Sequence, residues 1–288
     1  MNENEYCQEK TLKSGSSFYY SFLFLDKARR EAITAVYALC RELDDIVDKD
    51  LEPHIAEQKL AWWQTEIERL YKNQAQHPIA VAMSQVVVHY HIPKILLDEL
   101  VSGMLMDLKY QGYTTFQDLK LYCHCAASTV GLMAARIFGF SDDNTLIYAK
   151  NLGIALQLVN IIRDVGEDAK RGRVYLPEED LTRFSLTSDD ILNLQESPEL
   201  KALLHESATR ARMYYTMALE ALPECDRYAQ RAGLIMADIY FNLLKEIERS
   251  NFAVLNSRIS LSPFKKLWLA WRKARFESKR FNTMTAMA

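Results

Sequence analysis

Between nine glycines and seven prolines, the chain runs in long segments whose apolar residues recur every three or four positions, the period of a helix with one buried face. This pattern predicts an all-α helix bundle, with helices over 26–48, 53–73, 77–90, 93–110, 115–138, 142–169, 198–221 and 225–250. A basic amphipathic segment comes after them near 262–280. Asp26, Thr115 and Ser141 fall where N-cap side chains belong, and Pro53, Pro78 and Pro93 stand near helix starts, where a missing N–H is tolerated. One stretch, about 170–197, breaks the pattern at Gly172 and Pro177, and a loop of that length often has a task such as a lid. With no linker, repeat or low-complexity segment, the simplest organisation is a single domain over 1–288, with 262–288 as its basic tail.

Two helices carry a polar line that core packing does not explain. In the first, Tyr37, Arg41, Asp44 and Asp48 stand at offsets 0, 4, 7 and 11, a stripe about 60° wide at 3.6 residues per turn. Carboxylates at i and i+4 repel each other by about 0.2–0.5 kcal/mol in an isolated helix, so a cation is expected nearby. In the second, Gly153, Gln157, Asn160, Asp164 and Asp168 share one face while Leu152, Ile154, Leu158, Val159 and Ile161 occupy the others. A helix apolar nearly all round is buried. Its single polar line must therefore face a cavity or a partner network, and two such lines are expected to face each other across a central cavity.

The donors are hard oxygens with no histidine or thiolate pair beside them, which suits Mg²⁺ better than zinc or iron. Mg²⁺ commonly bridges carboxylates to phosphate oxygens, so diphosphate is expected as the third party. Arg41, Arg163, Lys170, Arg171 and Arg173 lie next to the two lines and supply cations for its oxygens.

Composition narrows the setting. The 35 basic and 38 acidic side chains leave a formal charge of −3, so nothing attracts nucleic acid globally, and none is expected as a partner. Five scattered cysteines point to reduced thiols, no disulfide and a cytoplasmic location. The polar N-terminus is not read as a signal peptide, and no run of about 18 apolar residues predicts a membrane span.

These residues resemble the squalene and phytoene synthases, the head-to-head branch of the isoprenyl diphosphate synthases. The likeness runs from about residue 14 to residue 258. It rests on YALCRELDD leading into DDIVD at 44–48, on QLVNIIRDVGED at 157–168 and on RGRVYLP at 171–177. SSFYYSFLFL at 16–25, GMLMDL at 103–108, YCHCAASTVG at 122–131 and IMADIYFNLL at 235–244 add to it. The resemblance implies the isoprenoid synthase fold, with Asp44, Asp48, Asn160, Asp164 and Asp168 holding Mg²⁺. Gln157 would line the same face, and Asp107 matches an acidic position near the metals. Ser17, Tyr37, Arg41, Arg163 and Arg258 would contact diphosphates, with Arg173 and Tyr175 in the same substrate-binding set. Phe18, Tyr240 and the small residues around Ala127 would border the prenyl chains.

Within the family, SSFYYSFLFL, KLAWWQTEIERLY and YLPEEDLTRF are most similar to the bacterial hopanoid-pathway branch, which makes presqualene diphosphate from two farnesyl diphosphates. Phytoene, dehydrosqualene or squalene as product, and a non-catalytic relative serving as an assembly factor, are the other readings. NADPH is not expected for presqualene diphosphate, and no dinucleotide fingerprint occurs. The chain departs from the family pattern at 126–128, where Ala-Ala-Ser replaces Val-Ala-Gly, and Ser128 is expected to add bulk beside the prenyl channel.

Other features carry less. Cys123, His124 and Cys125 lack the second cysteine pair that a zinc site needs, and His89 and His91 suit a solvated or capping role. The tail PFKKLWLAWRKARFESKR allows two readings: a helix lying on an anionic bilayer, at the inner face of the membrane, or one whose Leu267 and Trp271 pack on the bundle.

Overall fold

Asp26 starts the first long helix as its position predicts: its carboxylate accepts the Arg29 amide at 3.0 Å, satisfying one of the helix's orphan N–H groups. The computed structural model describes residues 2–13, 18–48 and 52–286. Among them every regular element is helical. In chain order these are α1 (Glu3–Lys13), α2 (Phe18–Phe22), α3 (Lys27–Asp48), α4 (Pro53–Tyr71), α5 (Pro78–His89) and α6 (Lys94–Leu108). Then come α7 (Phe116–Cys123), α8 (Thr129–Phe138), α9 (Asn144–Lys170), α10 (Glu178–Arg183), α11 (Ser188–Leu192), α12 (Pro198–Ala221), α13 (Arg231–Arg249) and α14 (Pro263–Thr285). The fold is the all-α one that the periodicity predicted.

Two large buried clusters make the core. One gathers α3 to α6 around Leu39, Leu43, Leu60 and Leu97. The other gathers α9, α12 and α13 around Ile154, Ile162, Leu203 and Ile239. Phe18 and Ala126 pack against both, so the interior between the clusters is where a cavity can lie. Phe116–Phe138 and Asn144–Lys170 are long and apolar enough to cross a membrane by length and composition alone, although no span was expected. Both have half or more of their apolar window buried against other helices.

The structure corrects several local expectations. Thr115 caps α7 in a complete capping box with Asp118, but Ser141 does not cap α9. Its amide donates to Asp226 instead, at 2.7 Å, and the Asp142 amide and Thr145 hydroxyl bind the same carboxylate. The helix expected over 225–250 is instead a 3₁₀ turn at Glu224–Asp226, which holds Asp226, followed by α13. Asp226→Ala leaves those three donors without their charged acceptor and is expected to cost about 2 kcal/mol in urea unfolding; an unchanged midpoint would contradict the anchor.

The helix expected over 115–138 contains a π-helical turn at His124–Ser128. Stretch 170–197 is not a loose lid. Val174, Tyr175 and Leu176 are buried, the Glu178 and Glu179 amides bond Tyr113 and Thr114 carbonyls, and Asp180 is bound by Arg210 at 2.7 Å. All five thiols are free. In α14 it is Leu269, Ala270 and Ala274 that pack on the bundle, whereas Leu267 and Trp271 remain half exposed, so packing does not account for those two.

Candidate active site

The polar line of α3 and the polar line of α9 open into one cavity of about 630 Å³, within the roughly 300–1,000 Å³ typical of small-molecule sites. Asp44, Asp48, Asn160, Asp164 and Asp168 all line it. So do Tyr37, Arg41, Gln157, Arg163, Arg173 and Arg258, with Phe18, Tyr175 and Tyr240. Ser17 lies outside the described residues. Lys170 is exposed on the outer side of α9 and is not part of the lining, which corrects its place among the diphosphate cations.

The two acidic lines are joined through arginines. Arg171, just beyond α9, reaches Asp48 on α3 at 3.3 Å, and Arg173 lies 3.8 Å from the same carboxylate. Arg41 divides itself between Asp44 at 3.3 Å and Asp45 at 2.9 Å. Asp45 also binds Lys10 at 2.7 Å and is not among the cavity residues, so the middle aspartate of DDIVD is structural. On the α9 side Asp164 is gripped by Arg163 and by Arg258, the latter at 2.9 Å. Tyr240 hydrogen-bonds Arg163. Gln157 accepts from the Asn160 amide at 3.2 Å, while the buried Asn160 Oδ1 has no partner among the described residues.

The electrostatics of the four aspartates differ. Burial raises the Asp164 carboxyl, but the Arg163 and Arg258 guanidiniums more than reverse this and hold it below the usual range. Asp168 is pushed up to about 7 by burial and by Asp164, against Arg171 and Arg173. Asp44 reaches about 7 through burial, against Arg41 and with repulsion from Asp48 and Asp107. Asp107 accepts Tyr122 at 2.9 Å and Tyr175 at 2.7 Å; burial still raises it to about 6. The Tyr175 hydroxyl is therefore committed to Asp107.

A raised carboxyl pKa means that the folded state binds more protons than the unfolded chain between about pH 4 and 7, so stability falls as pH rises through that window. Without divalent metal, the unfolding free energy is expected to decline from pH 5 to pH 8. A divalent cation with inorganic diphosphate should flatten the decline. A pH-independent urea midpoint in the metal-free protein would contradict the charge arrangement.

Sequence reasoning missed Lys266. It lines the cavity from α14 beside Arg163 and Arg258, and its pKa is lowered by burial and then by those two guanidiniums. Three cations that repel one another at one rim form a ready site for an anion. No pattern separates Lys266 from Lys265 next to it, which turns to Glu246. Ser128 departs from its expected place: its hydroxyl donates to the Lys150 carbonyl at 2.7 Å. It faces α9 rather than the channel, while Ala126 and Ala127 line the cavity. Among the described residues no three His, Cys, Asp or Glu converge on one point, and His124 Nε2 lies 3.2 Å from Glu99.

The family model for squalene/phytoene synthase matches residues 11–265. The chain belongs to that family. Its members join isoprenoid diphosphates head to head. The chain is 33% identical over 276 residues to the phytoene synthase of Arthrospira platensis, covering 91% of this chain and 89% of that one. It is 36% identical over 268 residues to the phytoene synthase of Mycobacterium tuberculosis, covering 90% and 86%. Among solved structures, a dehydrosqualene synthase bound to a ligand is similar at a TM-score of 0.84 and 28% identity, covering 96% and 97%. The squalene synthase HpnC from Alicyclobacillus acidocaldarius is similar at 0.78 and 26%, covering 87% and 94%. The fold is thus the isoprenoid synthase fold.

Proposed function

We propose that this chain joins two farnesyl diphosphates head to head, giving presqualene diphosphate and free diphosphate, with Mg²⁺ between its two acidic stripes. The observation that carries this is the pair of stripes facing one cavity, with cations at both rims and apolar walls beyond. Hopanoid-type motifs within the family and the likeness to the dehydrosqualene synthase and HpnC structures favour the C15 donor and the C30 product. A second reading, phytoene synthesis from geranylgeranyl diphosphate, is favoured by the names of the 33–36% identical relatives.

The residues fit the metal. Asp44 and Asp168 are carboxylates without enough nearby positive charge, and Asn160 Oδ1 is an unused buried acceptor. Among the described residues too few ligands converge for a closed protein cage, as suits Mg²⁺, which keeps waters and takes phosphate oxygens. When bound, Mg²⁺ would draw charge from the donor diphosphate and improve it as a leaving group.

The chain's own groups account for the rest. Arg163, Arg258 and Lys266 would hold one diphosphate, and Arg41, Arg171 and Arg173 the other. As the donor C1–O bond breaks, an allylic cation forms between walls that exclude water. The rings of Phe18 and Tyr37, 5.5 Å apart, and of Tyr240 present π-faces to it. The acceptor's 2,3-double bond then attacks C1, and loss of a proton to a diphosphate oxygen or a tyrosine closes the cyclopropane.

The test is incubation of purified protein with farnesyl diphosphate and Mg²⁺, with and without NADPH, and mass spectrometry of the products. Presqualene diphosphate, unaffected by NADPH, is the expected result. A C30 hydrocarbon would move the assignment to squalene or dehydrosqualene synthase, and turnover of geranylgeranyl diphosphate alone would move it to phytoene synthase. No turnover of either would point to a non-catalytic assembly factor.

A further inference from the structure

Helix α14 leaves the rim of the cavity with an apolar face that the described residues leave half or more open. Ser260, Leu261 and Lys266 line the cavity, and Phe264 among them is turned outward at 80% exposure. Leu267 at 45%, Trp268 at 47% and Trp271 at 49% continue the same stripe, at offsets 3, 4 and 7 from Phe264. Arg275 and Lys279, at offsets 11 and 15, extend it with positive charge. Arg272 lies over the Trp268 ring and Arg275 over the Trp271 ring. The helix carries seven Lys or Arg against one Glu; Lys265, Arg272 and Arg280 are paired with Glu246, Asp238 and Glu224 of the bundle and Lys266 faces the cavity, so Arg275 and Lys279 are the cations that lie along the apolar stripe. Glu277 is buried and bound by Arg227 and Lys273, so the outward face bears no carboxylate of its own helix.

We infer that α14 docks the protein on an anionic lipid bilayer, with Phe264, Leu267, Trp268 and Trp271 entering the headgroup region. Aromatic side chains beside arginines and lysines on one helical face are the chemistry of an interfacial helix. A second copy of the chain is a poorer occupant, because a two-fold contact would set one cationic helix against its twin. The placement has a use: apolar ligands would meet the cavity beside the rim where Leu261 and Phe264 lie, with no passage through water. Phe264 and Trp271 were left over by the bundle because they belong to this second surface.

Binding is read without substrate, so it stands or falls separately from the product assay. The full chain is floated with vesicles of phosphatidylcholine alone, or with about one third phosphatidylglycerol. The expected result is flotation with the anionic vesicles, weakened by salt. A Phe264→Ser, Trp268→Ser, Trp271→Ser triple variant should bind about tenfold less, with its melting temperature retained. An Arg275→Glu, Lys279→Glu variant, which keeps every apolar side chain of the stripe, should lose binding similarly. Absence of flotation, or equal flotation of wild type and triple variant, would overturn the proposal. So would a dimer in light scattering that the triple variant disperses without any vesicle binding, since the face would then belong to a second copy.

Discussion

Asp168→Asn is expected to lower turnover by about 10²–10³-fold while leaving the metal-free fold as stable as before, or more stable above pH 7. Asp168 is a desolvated carboxylate whose nearest charged neighbour on the same helix face is Asp164. Ionised, it destabilises the empty site; offered a divalent cation, it becomes a ligand. The amide keeps the shape and removes the charge, so folding gains what catalysis loses. Asp45→Asn is the matched control from the other stripe, because Asp45 is spent on Arg41 and Lys10. That variant should keep turnover within about threefold and lose only the modest stability of partly exposed ion pairs. Steady-state rates and urea melts on both proteins decide the matter. If Asp168→Asn kept near wild-type activity, or if Asp45→Asn were the inactive one, the assignment of the stripes would be wrong.

How much of the site is legible in the chain depends on how local each signal is. The stripes of α3 and α9 are legible because a 3.6-residue period places Asp44 with Asp48, and Asn160 with Asp164 and Asp168, whatever the rest of the protein does. That they share a cavity is an inference from burial, which Arg171 and Arg173 support by reaching Asp48. Helix α1 gives no comparable signal because only Cys7 and Thr11 of its residues are buried, too few for a period. The π turn at His124–Ser128 is invisible for a related reason. One extra residue in a turn rotates the helix beyond it, so Ser128 meets α9 while Ala126 and Ala127 meet the cavity, and composition records no such shift. Lys266 is the clearest limit: Lys265 beside it is equally basic, and only the return of α14 to the rim separates the two.

Gly166→Ala is expected to destabilise the protein by about 2 kcal/mol or more and to cut activity at least about tenfold, the reverse of what helix propensity alone predicts. Alanine in place of glycine within a helix ordinarily gains about 1 kcal/mol. Gly166, however, is buried in α9, where an added Cβ would lie 2.1 Å from the Leu255 carbonyl oxygen and 2.5 Å from its carbon. Both are backbone atoms, so no side-chain rotation relieves the clash and the segment must move. That segment leads to Arg258, three residues on, whose guanidinium binds Asp164 at 2.9 Å. Displacing it loosens one of the two arginines that keep Asp164 ionised, so stability and turnover should fall together. Arg258→Gln, which removes the same contact without touching the packing, should lower turnover with little change in the urea midpoint. If Gly166→Ala proved as stable as wild type, or lost stability while keeping full activity, the close approach of α9 to the 251–262 segment would not be what positions Arg258.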